Sequence, residues 1–154
     1  PHEKSIQKTG KLINPFATIQ FDSAIAYDFP GNTNISLVDS NGEITKSVTK
    51  QVKLDSLQLV SFKNILMDST VFGGDKVMDF YPHFGIAFFK NQSIVDFLEV
   101  SLVCGDIYST FKIPEKEKQG YLNSALTDAG IEKIWQYCKN LGFTQYLDRS
   151  KWPR

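Results

Sequence analysis

Residues 85–103 read GIAFFKNQSIVDFLEVSLV, and they decide the fold. β-Branched and aromatic side chains dominate both halves of this stretch, which is typical of strands. Asn91 and Gln92 separate the halves, and a connection of two residues favours an antiparallel hairpin. We therefore predict two adjacent strands, over 85–90 and 93–103, at the centre of a sheet.

The register of this hairpin follows from its two-residue turn. The turn sets Phe88 opposite Val95. One pair further along, it sets Ile86 opposite Phe97. This register gathers large apolar side chains on one face of the sheet, where they can be buried.

Further strands are predicted on both sides of the hairpin. Residues 19–29 and 107–113 are rich in β-branched and aromatic side chains. The Asn-Gly pair at 41–42 indicates a shorter hairpin over 34–38 and 43–48, because both residues tolerate a positive φ. The sheet is therefore expected to be mainly antiparallel.

Residues 54–67 change from the strand period to the helix period. Their apolar side chains fall on one face, as an amphipathic helix requires: Leu59, Phe62, Ile65 and Leu66. Asp55 is placed as the N-cap, and Gln58 three residues later completes a capping box. We predict a helix that packs on the sheet.

A second helix is predicted between Thr127, as N-cap, and Gly142, as the left-handed residue that ends it. Its apolar stripe consists of Ile131, Ile134, Trp135, Cys138 and Leu141. The fold class expected is thus α+β, a mainly antiparallel sheet with two packed helices. Residues 1–14 are predicted to form a flexible tether and residues 15–154 a single domain.

Composition and charge exclude several classes of protein. The chain has 154 residues, with 17 basic and 17 acidic side chains and a net charge of zero. Nucleic-acid binding is not expected, because it usually requires clustered basic charge. Lys90, Asp96 and Glu99 interrupt the most hydrophobic region, so no transmembrane segment is predicted. The mixed-sign run 112–118 is typical of a solvated loop.

Residues 1–14 are polar and weakly patterned, and they are similar to the tether that often follows a secretion or lipoprotein signal. We expect a removed segment before Pro1, with a lipid anchor as an option. The location expected is the periplasm or cell envelope, and otherwise the cytoplasm.

The loop 68–83 shows no clean period and contains Gly73-Gly74. Irregular loops on rigid scaffolds often carry function, so Gly73, Gly74, Asp79 and His83 are candidate binding residues. The loop lacks the remaining features of a nucleotide-binding fingerprint, and the chain has no G-x-S-x-G motif. These absences leave no nucleotide site or hydrolase triad to predict.

His83 is one of only two histidines, and in the expected fold it lies near Cys104. Asp79, His83 and Cys104 are therefore candidate metal ligands, with Asp75 and Asp106 close by. The alternative is that His83 hydrogen-bonds backbone, that Cys104 is a small buried residue and that the carboxylates face water. Cys104 and Cys138 have no zinc-finger spacing, although one disulfide between them stays open.

Four segments together resemble an uncharacterised family of exported, often lipoprotein, domains of Bacteroidetes-type bacteria. The segments are Phe72-Gly73-Gly74, residues 82–89, residues 98–104 and residues 127–143. The family pattern has a Gly-Gly loop, a Pro-His-x-Gly motif after a cysteine, a Cys-x-x-Cys motif and a helix ending Leu-Gly-Phe. The resemblance covers about the last half of the chain.

The resemblance aligns Pro82-His83 with the Pro-His pair and Cys104 with the second cysteine of Cys-x-x-Cys. The other cysteine positions hold Asp79 and Ser101. Dithiol exchange is therefore excluded within that motif, and most soft metal ligands are missing. The resemblance implies fold and location more than mechanism.

Much scaffold and few reactive side chains favour a non-enzymatic, soluble, exported domain that binds another protein, as an inhibitor or immunity-type partner of a toxin does. No cofactor is expected. The alternative is a small metal-dependent enzyme or sensor centred on His83. A structural component of the envelope is a third hypothesis.

Overall fold

The computed structural model describes residues 12–31, 35–146 and 148–149, so most of the predicted tether lies outside the described residues. The helices and strands are, in chain order, β1 (Ser23–Asp28), β2 (Lys50–Lys53), α1 (Ser56–Leu66), β3 (Phe72–Gly74), β4 (Phe84–Lys90), β5 (Ser93–Ser101), β6 (Asp106–Ser109), α2 (Pro114–Glu117), β7 (Ala125–Leu126) and α3 (Asp128–Asn140). A 3₁₀ turn, Tyr121–Asn123, precedes β7. The predicted α+β class is confirmed.

The main sheet has five strands in the order β2-β1-β4-β5-β6, and every neighbouring pair is antiparallel. The predicted β4–β5 hairpin lies inside it, and β6 forms one edge. Asn91 and Gln92 have φ values of 49° and 67°, as a two-residue hairpin turn with two left-handed positions requires. β3 and β7 form a separate two-stranded sheet.

The predicted register of this hairpin was wrong by one residue. Phe88 lies opposite Asp96, and Ile86 lies opposite Leu98. The cause is a β-bulge next to Phe88, where Val95 is the additional residue of β5. Because a shift of one residue reverses the faces of a strand, Leu98 faces the helices. Its neighbours Phe97 and Glu99 lie on the opposite face.

Both predicted helices are confirmed with their caps. The backbone N–H of Gln58 donates to the Asp55 carboxylate at 2.8 Å, and the Asp55 N–H donates to the Gln58 side chain at 2.9 Å. Thr127 accepts from the N–H of Gly130 at 3.1 Å. Gly142, with φ of 76°, follows Leu141, the C-cap of α3, and lies in the left-handed region that favours glycine.

α1 and α3 pack on one face of the sheet. The rings of Phe62, Phe84 and Tyr137 contact one another there, with centroids 5.0–6.2 Å apart. Two described helices thus cover this face, as predicted. No described helix has the length and apolar character needed to cross a bilayer.

The opposite face is covered by residues 35–49 over β1 and β4, where Leu37 is fully buried. The hairpin predicted there is reduced to one bridge, Val38 with Ile44, around the turn at Gly42. Near β5 and β6 this face opens into a cleft.

Other segments also differ from the sequence predictions. Residues 68–83 are not wholly irregular, since β3 lies within them and pairs with β7. β6 stops at Ser109 instead of 113. The charged run 112–118 contains α2, which begins with Pro114 at the first helical position, where its fixed φ is favourable.

Replacing Phe62 by Ala is expected to lower the free energy of unfolding by about 3–5 kcal/mol, because a fully buried ring is lost from the helix–sheet contact. Leu57→Ala is the matched control on the same helix, since Leu57 is 80% exposed. It should change stability by less than about 0.5 kcal/mol. Urea denaturation measures both, and equal effects would contradict this packing.

Candidate functional site

His83 is a buried structural residue at the start of β4, only 1% exposed. Its Nε2 accepts a hydrogen bond from the N–H of Leu102 at 3.1 Å, which places the proton on Nδ1. Its ring lies against Tyr146, with centroids 4.4 Å apart. Burial lowers the pKa of His83 from 6.5 to about 3, partly offset by a hydrogen bond to its own backbone.

These contacts give no support to a metal site at His83. Asp79 is exposed in the loop before β4, whereas His83 is buried and Cys104 lies in the turn after β5. Within the described ranges, no three His, Cys, Asp or Glu side chains are grouped to hold a metal ion. A metal on Nε2 of His83 would displace the Leu102 N–H, so the described geometry matches the backbone-bonding alternative for this residue.

The two cysteines are free thiols, so the disulfide left open by the sequence is not formed. Cys138 is buried, and its pKa is raised mainly by that burial, with the nearby Asp28 carboxylate adding to it. Ser101 is fully buried, and its Oγ accepts from the N–H of Cys104 at 3.2 Å. Ser101, which occupies the first cysteine position of the Cys-x-x-Cys motif, thus closes a turn.

The Gly73-Gly74 pair is explained by strand pairing. A Cβ at Gly74 would lie 2.2 Å from the carbonyl oxygen of Leu126, because β7 approaches the backbone closely. Gly73 has φ of 130°, which L side chains rarely adopt. These constraints account for both glycines without a ligand.

Two adjoining clefts lie at the β6 edge instead. The first, here the α2 cleft, has a volume of about 370 Å³ and lies between β6, α2 and the 3₁₀ turn. The second, here the sheet cleft, has a volume of about 460 Å³ and lies on the open face of β5 and β6. Three residues line both: Lys76, Tyr108 and Lys116.

Asp106 lies between the two lysines that the clefts share and is 7% exposed. Its carboxylate lies 3.4 Å from Nζ of Lys76 and 3.3 Å from Nζ of Lys116. Lys116 Nζ also donates to the carbonyl oxygen of Ile107. Lys76 Nζ stands 4.5 Å from the centre of the Tyr121 ring, a cation–π contact.

Lys116 is a half-buried cation rather than a solvated one. Burial lowers its pKa most, Asp106 raises it, and the nearby ammonium of Lys76 lowers it by repulsion. The prediction that the run 112–118 is a solvated loop was wrong here, because α2 turns Lys116 inwards to Asp106 and buries Glu115.

Glu99 is a second buried acid, on the sheet-cleft side of β5. It accepts from the N–H of Leu37 at 2.7 Å and from the hydroxyl of Ser36 at 3.3 Å. Burial raises its pKa, and these two hydrogen bonds oppose that rise. Glu99 therefore fastens the segment 35–49 to the sheet.

The outer edge of β6 already has its hydrogen bonds satisfied at Ile107. The Ile107 N–H donates to the Asp106 side chain at 2.8 Å, and its carbonyl accepts from Lys116. The neighbouring Gly105 carbonyl accepts from the N–H of Leu126 at 2.7 Å. This edge is therefore closed to the addition of another strand at these residues.

The sequence interpretation did not single out Lys76, Glu99 or Lys116, and it treated Asp106 only as a neighbour of His83. One available signal was Glu99, a charged residue between the apolar residues Leu98 and Val100 of β5. The other three come from separate segments, so spacing alone could not bring them together.

Comparison with known proteins adds no assignment. No protein-family model, curated protein or solved structure matches this chain. The resemblance to an exported bacterial family therefore stays a prediction.

His83→Gln is expected to flatten the acid limb of the stability curve. The folded pKa of His83 is about 3, so its neutral form favours the folded state fully above the unfolded pKa of 6.5. This contribution is lost as the pH falls from about 6.5 towards 3, by up to about 1.4 kcal/mol per pH unit.

Urea denaturation across about pH 4 to 8 should show this slope in the parent protein and a weaker slope in His83→Gln. Asp28 and Glu99 have raised pKa values and act in the opposite direction, so the comparison uses the difference between the two proteins. His2→Gln, in the predicted tether, is the control. Identical slopes in all three would contradict a buried, neutral His83.

Proposed function

We propose that this domain is a non-enzymatic module that binds another protein through the α2 cleft and the sheet cleft. The observation that carries the proposal is the exposed apolar surface around them. Met78 is 97% exposed, Leu122 74% and Tyr121 72%. Val77 and Tyr108 are exposed at 47% and 51%.

Three of these side chains, those of Met78, Tyr108 and Tyr121, are of the kinds that form the centres of protein interfaces. Tyrosine and methionine are enriched there, and a few such anchors often carry most of the binding energy. Four of the five exposed apolar residues line the clefts directly: Val77, Met78, Tyr108 and Tyr121. A protein that exposes clustered apolar side chains beside concave surface has a binding site as the simplest physical explanation.

The buried polar groups support binding over catalysis. The carboxylate of Glu99 accepts from Leu37 and Ser36, and His83 accepts from Leu102. Each of these groups is thus engaged in holding the scaffold together. No observation on the described residues favours the metal-dependent alternative.

The closed edge at Ile107 supports a particular mode of binding. Since the outward N–H and C=O of Ile107 are satisfied by Asp106 and Lys116, a partner strand would have to displace both. We infer that the partner inserts side chains into the clefts instead of extending the sheet.

A more specific form of this proposal is that the domain acts as an inhibitor or immunity-type partner of a toxin, in the periplasm or cell envelope. Its support is the resemblance to exported bacterial domains, on Pro82-His83 and Cys104 among other residues.

Site-specific photo-crosslinking in the native host tests the proposal. A benzoylphenylalanine at Met78 or at Tyr121 is expected to give the same adduct with one partner protein, and the same probe at Asn64, exposed on α1, should not.

The purified partner should then bind Tyr121→Ala at least about tenfold more weakly than the parent protein, since an interface anchor is lost. Leu57→Ala removes an equally exposed apolar side chain from α1 and should leave the affinity unchanged. Adducts that form equally at Asn64, or an affinity that Tyr121→Ala does not alter, would reject the clefts as the binding surface.

A further inference from the structure

We propose that the α2 cleft binds an acidic segment of the partner protein, with a carboxylate on Lys76 and Lys116 and an adjacent apolar side chain on the aromatic lining. This inference rests on the proposed function and names the chemistry of the partner.

The two lysines face the α2 cleft with their shared counter-ion behind them. Lys76 and Lys116 both line this cleft. Asp106, their shared counter-ion, lines only the sheet cleft. The lining of the α2 cleft therefore includes both lysines but not the carboxylate that they share.

One carboxylate cannot neutralise both cations. The repulsion is apparent in the pKa of Lys116, which the charge of Lys76 lowers. The side chains of Lys76 and Lys116 are only 23% and 19% exposed, so water screens their charges less than those of surface lysines. A second carboxylate, supplied by a ligand, would relieve this imbalance.

The lysines are also held in position before any ligand arrives. Lys116 is fixed by Asp106 and by the Ile107 carbonyl. Lys76 is fixed by Asp106 and the Tyr121 ring, and its backbone N–H donates to the Leu122 carbonyl at 2.9 Å. Binding to such a site costs less side-chain entropy than binding to mobile surface lysines.

The rest of the lining suits an apolar neighbour of that carboxylate. Tyr108, Phe111 and Tyr121 supply rings, and Ser109 and Ser124 supply hydroxyl groups. A volume of about 370 Å³ accepts one or two side chains, rather than a folded element. Acidic residues next to Phe, Leu or Trp match this surface.

Three other acids lie on the segments around the two clefts. Glu115 is buried and pairs with Lys118 at 2.6 Å. Glu99 faces the sheet cleft, where Leu37 and Ser36 hold it. Glu117 is exposed and lines the α2 cleft, so it opposes an acidic ligand.

Fluorescence anisotropy with two labelled synthetic peptides tests this inference. One peptide alternates Asp and Phe, and its twin has Asn at every Asp position. The acidic peptide should bind the parent protein at least about tenfold more tightly than its twin, and more weakly as salt is added.

Three variants identify the site. Lys76→Gln should weaken the acidic peptide about tenfold, and Glu117→Gln should tighten it a few-fold, because a like charge is removed. Lys112→Gln, which changes an exposed lysine of the same segment outside the cleft lining, should leave the affinity unchanged. Circular dichroism checks that each variant is folded.

Equal binding of the two peptides, no binding of either, or an unchanged affinity in Lys76→Gln would overturn the inference. If the crosslinked partner binds the parent and Lys76→Gln equally, the acidic chemistry is wrong and the proposed function stands. Phenylacetate is the competitor that tests for a small ligand. If it displaces the acidic peptide and binds more tightly than that peptide does, the cleft binds a small carboxylate instead. Together with absent crosslinks at Tyr121, that result would reject the proposed function as well.

Discussion

The carboxylate of Asp106 joins β6 to the loop after β3 and to α2. It contacts Lys76 in the loop after β3, Lys116 in α2 and the backbone N–H of Ile107 in β6. Both clefts are formed where these segments meet. Because a buried carboxylate is costly unless it is paired and hydrogen-bonded, its partners are held to it and to one another.

Those features of the fold that depend on neighbouring residues could be predicted from the sequence. The caps at Asp55 and Thr127 act on N–H groups three residues away, so each helix start is specified locally. The turn at Asn91-Gln92 is likewise local, because it requires two left-handed residues in succession. The class of the fold follows from these helices and strands, since each has one apolar side that must be covered.

The register and the candidate site could not be predicted in this way. The bulge at Val95 adds one residue to β5 and places Glu99 on the open face of the sheet. The turn between β4 and β5 does not predict this bulge. Nothing in the sequence distinguishes the three charged residues of the site from other charged residues in stretches that are typical of loops: Lys76, Asp106 and Lys116. Their importance arises only when tertiary structure buries them together. His83 is the reverse case. A metal site was predicted there because the chain has only two histidines, whereas the ring is buried and accepts a hydrogen bond from the Leu102 N–H.

The clefts thus combine two properties: exposed apolar side chains and charges that are fixed in place. Met78 and Tyr121 extend into solvent, whereas Lys76 and Lys116 are constrained from behind. Fixed cations with apolar neighbours discriminate between partners by charge, and exposed anchors supply affinity. This combination favours a recognition surface.

Amide hydrogen exchange at Ile107 tests the central role of Asp106 most directly. In the parent protein this N–H should be protected, because the Asp106 side chain accepts its hydrogen bond. In Asp106→Ala its exchange should accelerate by about tenfold or more, while the His83 N–H, bonded to the Val100 carbonyl inside the fold, stays protected. Equal exchange of Ile107 in both proteins would contradict the account, since β6 and the clefts would then be held without Asp106.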